Sequence, residues 1–278
     1  MSRSLGESQP RAKPRGNESA RCAIEKRRSK NPISCALLIT EIRLAAGFLT
    51  IVPVGGGSAT ADEVAALLGW FPLIGFILGA ILAGADYILA FFIASAVRST
   101  LLVLALTAIT GAVHLDGLAD TADALAAGRD RVRALEILRD SRIGTFGAAA
   151  VFFVLALKVT ALASAAHSRT IALYLAPGIA RWVMVALPYK LTYLREYGAG
   201  SALLGVQAVR NLRVASIVTL LALLLTGSVL AIRGVVVAVI LMWMFRIFYA
   251  RWLGGITGDL IGAAGEIVEA AAFIALTC

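Results

Sequence analysis

Apolar residues dominate this chain in blocks near 20 residues long, the length an α-helix needs to cross the hydrocarbon core of a bilayer. Residues 64–87, 144–166, 170–188, 214–232, 234–250 and 260–277 form such blocks, and the shorter 101–113 approaches that length by borrowing residues around Arg98. The pattern predicts an all-α, polytopic integral membrane protein of about seven transmembrane helices. Gly75 and Gly79 stand four apart in the first block, the small-xxx-small spacing that lets helix backbones approach closely. Residues 33–54 break the pattern, because Glu41 and Arg43 interrupt the apolar run and Pro53 with the glycines after Val54 ends it. That segment reads as a helix lying at the membrane surface. No internal repeat is evident.

Composition agrees: 59% of the 278 residues are hydrophobic and 15% charged, against about 45–50% and about 25% in soluble proteins. The net charge of +9 would suit a nucleic-acid partner if it formed a face, but most of it is local. The first 30 residues hold nine Lys or Arg against three Glu, a net of +6, which leaves +3 for the other 248. No nucleic acid is expected. The basic head has no apolar run behind it and is no secretory signal; residues 1–40 read as a disordered cytoplasmic tail and 41–278 as one membrane-embedded domain. Cys22, Cys35 and Cys278 have neither metal-ligand spacing nor a disulfide framework.

Orientation follows from the short loops. With the first crossing beginning at Val64 from the cytoplasm, the segments after His114, from 189 to 213 and from 251 to 259 all face the cytoplasm. They carry Arg129, Arg131, Arg133, Arg139, Arg142, Lys190, Arg195, Arg210, Arg213 and Arg251, whereas the opposite loops hold only Arg98, Arg169 and Arg233.

Chemistry enters with His114-Leu-Asp-Gly-Leu-Ala-Asp-Thr-Ala-Asp123. Asp116, Asp120 and Asp123 fall at i, i+4 and i+7, within about 60° of one another on a helix, so they can converge on one ion. Without a cation their mutual repulsion drives each toward its neutral form. Oxygen-only ligands favour magnesium, calcium or manganese over zinc. Magnesium completes its shell with water and phosphates, which suggests a diphosphate substrate, and Gly117 leaves room for it. A plain solvated helix face is the alternative, but three carboxylates on one stripe next to an apolar crossing favour metal. His114 points nearly opposite Asp116 and suits a boundary or packing role slightly better than a catalytic one.

Downstream, Arg129 opens an arginine-rich stretch in which Arg139, Asp140 and Arg142 crowd the entrance to the next crossing, where guanidinium forks could grip phosphate. A topology signal alone would explain the same arginines. Gly254, Gly258 and Gly262 make a packing stripe, with Asp259 and Glu266 on one helical face and Glu269 about 15 Å along from Asp259. Lys158, Arg181 and Arg246, also inside apolar runs, could pair with these acids, and snorkelling to the surface would equally explain Arg181 and Arg246.

These motifs, from about Glu41 to Leu276, make the chain resemble the cobalamin synthase family, the adenosylcobinamide-GDP ribazoletransferases. The likeness rests on His114 to Asp123, on Gly128-Arg-Asp-Arg with Ala134-Leu-Glu-Ile-Leu-Arg-Asp-Ser-Arg142-Ile-Gly, and on Gly254-Gly-Ile-Thr-Gly-Asp259. Trp70-Phe-Pro-Leu-Ile-Gly75 and Arg181-Trp182 match more loosely. Two departures stand out: Ile51 follows Phe48-Leu-Thr50 where the family carries arginine, and Ala124, Ala126 and Ala127 replace glycines. The resemblance implies transfer of phosphocobinamide from adenosylcobinamide-GDP to α-ribazole or its 5′-phosphate, with release of GMP, at the inner cell membrane. It further implies Mg2+ as cofactor, held by Asp116, Asp120 and Asp123, one of which also helps deprotonate the attacking hydroxyl. Arg129, Arg139, Asp140, Arg142 and Asp259 would form the substrate shell, and homo-oligomer formation is left open. A CDP-alcohol phosphotransferase needs Asp-Gly followed by Ala-Arg, but here Asp120 follows Ala119. A transporter would concentrate its charges at the bilayer midplane, whereas the densest motifs here lie at one surface.

Overall fold

The computed structural model describes residues 35–54, 61–140, 142–165, 167–195 and 207–278. The basic head and the middle of the 189–213 loop lie outside the described residues. By internal contacts the chain forms two units, Met1–Ile39 and Thr40–Cys278. Of the first, only Cys35–Ile39 are described, and they are helical.

Among the described residues there is no β-strand, and α-helices run in the order α1 (Cys35–Leu49), α2 (Ala61–Ala66), α3 (Phe71–Leu89), α4 (Ser95–Ile109), α5 (Val113–Leu125), α6 (Arg131–Ile137), α7 (Thr145–Ser164), α8 (Arg169–Ala186), α9 (Ala208–Thr226), α10 (Leu230–Trp252) and α11 (Gly258–Thr277). Five stretches are long and apolar enough to cross a membrane: Leu67–Leu89, α7, α9, α10 and α11. A sixth arises if α4 and α5, bent by 91° at their junction, count as one broken span. The expected crossing at 170–188 corresponds to α8, which is helical and central but falls outside that set; its buried Arg169 and Arg181 dilute its apolar character. Helix α1, at 15 residues, extends about 22 Å and is too short to span.

The core forms where small residues let backbones meet. Gly75 and Gly79 of α3 lie against α8: a Cβ on Gly75 would sit 2.6 Å from the Pro177 carbonyl oxygen, and one on Gly79 2.6 Å from that of Leu173. The predicted small-residue seam is therefore real, and α8 is the helix it packs on. Helix α11 packs in turn against α5, α7, α8 and α10.

The α4–α5 bend sits at Gly111 and Ala112, with φ of 62° and 55°. A left-handed alanine costs roughly 1–2 kcal/mol. The turn is held from α1's side by Ile51, whose N–H donates to the Ile109 carbonyl at 2.8 Å. The α9–α10 boundary lies at Gly227 and Ser228, not between 232 and 234 as the charge of Arg233 suggested. Gly227, at φ 57°, provides the left-handed cap that stops α9, while Arg233 is exposed in the first turn of α10 and needs no break.

At the end of the fold where α7 finishes, Asp86 accepts from Arg98 Nε at 2.6 Å and from Arg169 Nε at 2.8 Å. These are two of the three arginines of the sparsely basic loops.

Candidate active site

The site is built on α5. Its helical stripe is as the spacing predicts, but burial separates the three acids: Asp116 is exposed, while Asp120 and Asp123 are half-buried. Asp123 turns toward the start of α7, where its carboxylate accepts the N–H of Gly144 at 2.6 Å and of Gly147 at 2.8 Å. Those amides are among the four that a helix leaves without an internal partner, so Asp123 caps α7 across the whole Gly128–Ile143 excursion. Both glycines are required there, since a Cβ on Gly144 would come 2.8 Å from the Asp123 carboxyl carbon and one on Gly147 2.9 Å from the Ala119 carbonyl oxygen.

The space beside Asp116 is also occupied. A Cβ on Gly117 would meet the Asp259 carbonyl oxygen at 2.8 Å, so the glycine serves close approach of α5 to the start of α11 and is not an opening for substrate. That contact brings Asp259 to the motif from well over a hundred residues away. Thr257 caps α11 by accepting the Leu260 N–H at 3.3 Å. His114 is buried against Gly262, whose added Cβ would lie 3.3 Å from the histidine Cα; this is the packing role its position suggested.

A third segment completes the arrangement. Residues 191–195 lie alongside Ile256, with Leu194 N–H donating to the Ile256 carbonyl at 2.9 Å and Ile256 N–H donating to that of Thr192 at 2.8 Å. This register delivers Arg195 to Asp259: Nη2 donates to Asp259 Oδ2 at 2.5 Å and to the Leu138 carbonyl at 2.9 Å. In the sequence Arg195 reads only as a topology signal, because nothing local marks a contact across 64 residues. Asp120 feels Asp116, Asp259 and Asp123 as like charges and Arg195 as a counter-charge.

The other expected site residues are outlying. Arg129 is exposed and lines a groove of about 640 Å³ with Met244, Ile247, Phe248, Arg251 and Trp252. Trp252 Nε1 donates to the Gly128 carbonyl at 3.0 Å, which ties this loop to the end of α10. Arg139 is exposed. Arg142 spends its guanidinium on Asp140, with Nη2 to Oδ2 at 2.6 Å. Hydrogen bonds from Arg142 hold the Asp140 carboxyl below its usual range, and the same bonds raise the guanidinium above its own. The Arg142 fork is thus occupied by Asp140 at the protein surface.

Among the described residues, no group of three or more His, Cys, Asp or Glu comes together as a ready cage for a metal ion. Asp123 gives an oxygen to each of two α7 amides. What remains is Asp116, Asp120 and Asp259, an all-oxygen set within electrostatic reach of one another. That set fits magnesium bound by one or two carboxylates with water and phosphate completing the shell, the usual mode for this ion.

A second ionic cluster lies within the helices. Lys158 of α7 donates to Glu266 at 2.5 Å and Glu269 at 2.7 Å, and Arg181 of α8 also pairs with Glu269. All four residues are buried. Lys158 and Arg181 are thus partners as expected, whereas Arg246 instead donates to the backbone carbonyls of Leu187 and Tyr189.

Comparison with known proteins matches residues 41–277 to the family model described as cobalamin-5-phosphate synthase. Proteins named adenosylcobinamide-GDP ribazoletransferase from Roseiflexus sp. (strain RS-1) and Syntrophobacter fumaroxidans are 38% and 40% identical, covering 83% and 79% of this chain and 86% and 89% of their own. One of the same name from Bradyrhizobium diazoefficiens is 40% identical over 83% of this chain and 92% of its own. No solved structure matches.

Proposed function

Because the chain belongs to the cobalamin-5-phosphate synthase family, we propose that it is an adenosylcobinamide-GDP ribazoletransferase, the activity for which its relatives are named. The observation that carries the site reading is the meeting of Asp120, Asp259 and Arg195, drawn from three distant segments, where α5 crosses the start of α11. A hydroxyl of α-ribazole, or of its 5′-phosphate, attacks the phosphorus bound to cobinamide. A new P–O bond forms, the bridge to GMP breaks, and GMP leaves with the bridging oxygen.

Asp116 and Asp120 would hold magnesium, which when bound supplies positive charge against the diphosphate. One of these two carboxylates takes the proton of the attacking hydroxyl. Asp123 fixes the start of α7 relative to α5 and so sets where the other two aspartates point. Arg129, Arg139 and Arg142 form an exposed basic rim that draws an anionic substrate inward. Residues 41–278 are the catalytic unit in this reading, with 1–40 a tail outside it. The lipid is that of the inner cell membrane, with the rim cytoplasmic, as the Lys and Arg distribution supports. A transporter reading finds no support in the buried cluster, where Lys158 and Arg181 are neutralised by Glu266 and Glu269.

The test is purified full-length chain in detergent with adenosylcobinamide-GDP, α-ribazole and magnesium. GMP and a nucleotide-loop corrinoid are expected in equal amounts. An unchanged corrinoid substrate would overturn the assignment.

A further inference from the structure

Of the arginines that sequence would choose to grip the substrate's diphosphate, Arg142 is paired with Asp140 and Arg139 lies exposed on the loop between α6 and α7. Arg195 is differently placed. Its Nη2 is shared between Asp259 and the Leu138 carbonyl, so one corner of the guanidinium is pinned to two separate segments. Among the described residues its Nε and Nη1 have no hydrogen-bond partner, and its side chain keeps 32% exposure. Because the guanidinium is a rigid fork, fixing one nitrogen also aims the others.

Charge points the same way. Asp116, Asp120 and Asp259 together carry −3 when ionised, and Arg195 is the cation acting on both Asp120 and Asp259. A diphosphate entering that field needs a donor already oriented within it, and a guanidinium held on one side by a carboxylate is such a donor.

We propose that Arg195 is a phosphate-binding residue of the site, held in place by Asp259 and the Leu138 carbonyl, and that it takes the diphosphate of a nucleoside-diphosphate substrate with its remaining donors. The inference rests on the function proposed above. Lysine at this position would keep the ion pair with Asp259 but lose the fork.

The experiment uses the full chain and GDP as probe, with magnesium present. GDP affinity is measured by calorimetry for wild type, Arg195→Gln, Arg195→Lys and Arg233→Gln, the last an exposed arginine in the first turn of α10. Thermal stability and GMP release from adenosylcobinamide-GDP are measured alongside. Losing hydrogen bonds to a charged group should weaken GDP binding roughly tenfold to a hundredfold in Arg195→Gln. Arg195→Lys should melt like wild type yet still bind GDP at least several-fold more weakly, and Arg233→Gln should bind normally. If Arg195 is only a strut for Asp259, Arg195→Lys will restore both stability and GDP affinity, which overturns the proposal. Wild type that releases GMP while GDP binding is unchanged in both Arg195 variants overturns it alone. Wild type that neither binds GDP nor releases GMP removes the function reading with it.

Discussion

Lys158→Met is the perturbation whose cost can best be worked from the structure. Lys158 touches both Glu266 and Glu269, and Arg181 also touches Glu269, so the four buried groups sum to zero charge. At an effective dielectric near 20, a unit pair about 4 Å apart attracts by roughly 4 kcal/mol. Desolvation costs several kcal/mol per ion, so the intact cluster contributes little net stability. Removing one cation is different, because Glu266 loses its partner while still buried. Breaking a buried pair in this way costs about 3–5 kcal/mol, a large part of the roughly 5–15 kcal/mol that holds a typical domain together. Lys158→Met with Glu266→Gln restores neutrality, leaves the Arg181–Glu269 pair intact and should recover most of the loss. Unfolding by SDS in mixed micelles, followed by far-UV circular dichroism, reads the midpoints. A single variant as stable as wild type, or a double variant no better than the single, would refute this account of the cluster.

Three further outcomes are expected. Asp123→Ala removes the cap on α7 and should lower stability by about 1–2 kcal/mol; hydrogen exchange should quicken at the Gly144 and Gly147 amides while the centre of α7 stays protected. Gly117→Ala drives a methyl into the Asp259 backbone and should cost about 1–3 kcal/mol along with most GMP release, whereas Gly84→Ala, which meets nothing within 4 Å, should change neither. Single cysteines at Ala126 and Arg251, in a chain stripped of native cysteines, should react with an impermeant thiol reagent from one side of the membrane, and one at Phe92 from the other; common labelling of Phe92 and Ala126 would break the topology.

Local pattern was legible in the sequence, and long-range pairing was not. The i, i+4, i+7 spacing of Asp116, Asp120 and Asp123 correctly marks one helix because helical periodicity is a property of neighbours. It says nothing of Asp123's partners at Gly144 and Gly147, which lie beyond a loop and a short helix. Charges inside apolar runs identified Lys158, Arg181, Glu266 and Glu269 as needing partners, since hydrocarbon leaves them no other option, but only packing assigns the pairs. Arg195 was invisible for a related reason: in a basic loop an arginine looks like any other until the Tyr193–Ile256 bridge fixes its register. Gly117 misled because a glycine beside a carboxylate leaves the same space for a substrate or for another helix. Arg233 misplaces a helix boundary because a charge inside an apolar run reads as a break, whereas the chain turns at the left-handed Gly227 six residues earlier.

If the α5 carboxylates hold magnesium for phosphoryl transfer, as proposed, Asp120→Asn exposes it most directly. The substitution keeps shape and removes one charge from a half-buried position. GMP release from adenosylcobinamide-GDP, measured across a magnesium titration, should fall by orders of magnitude and require more magnesium for half-maximal rate, while protein yield stays near normal. A solvated helix face predicts no more than about 0.5 kcal/mol of stability change and unaltered turnover. Turnover equal to wild type at every magnesium concentration would show that Asp120 holds no catalytic magnesium.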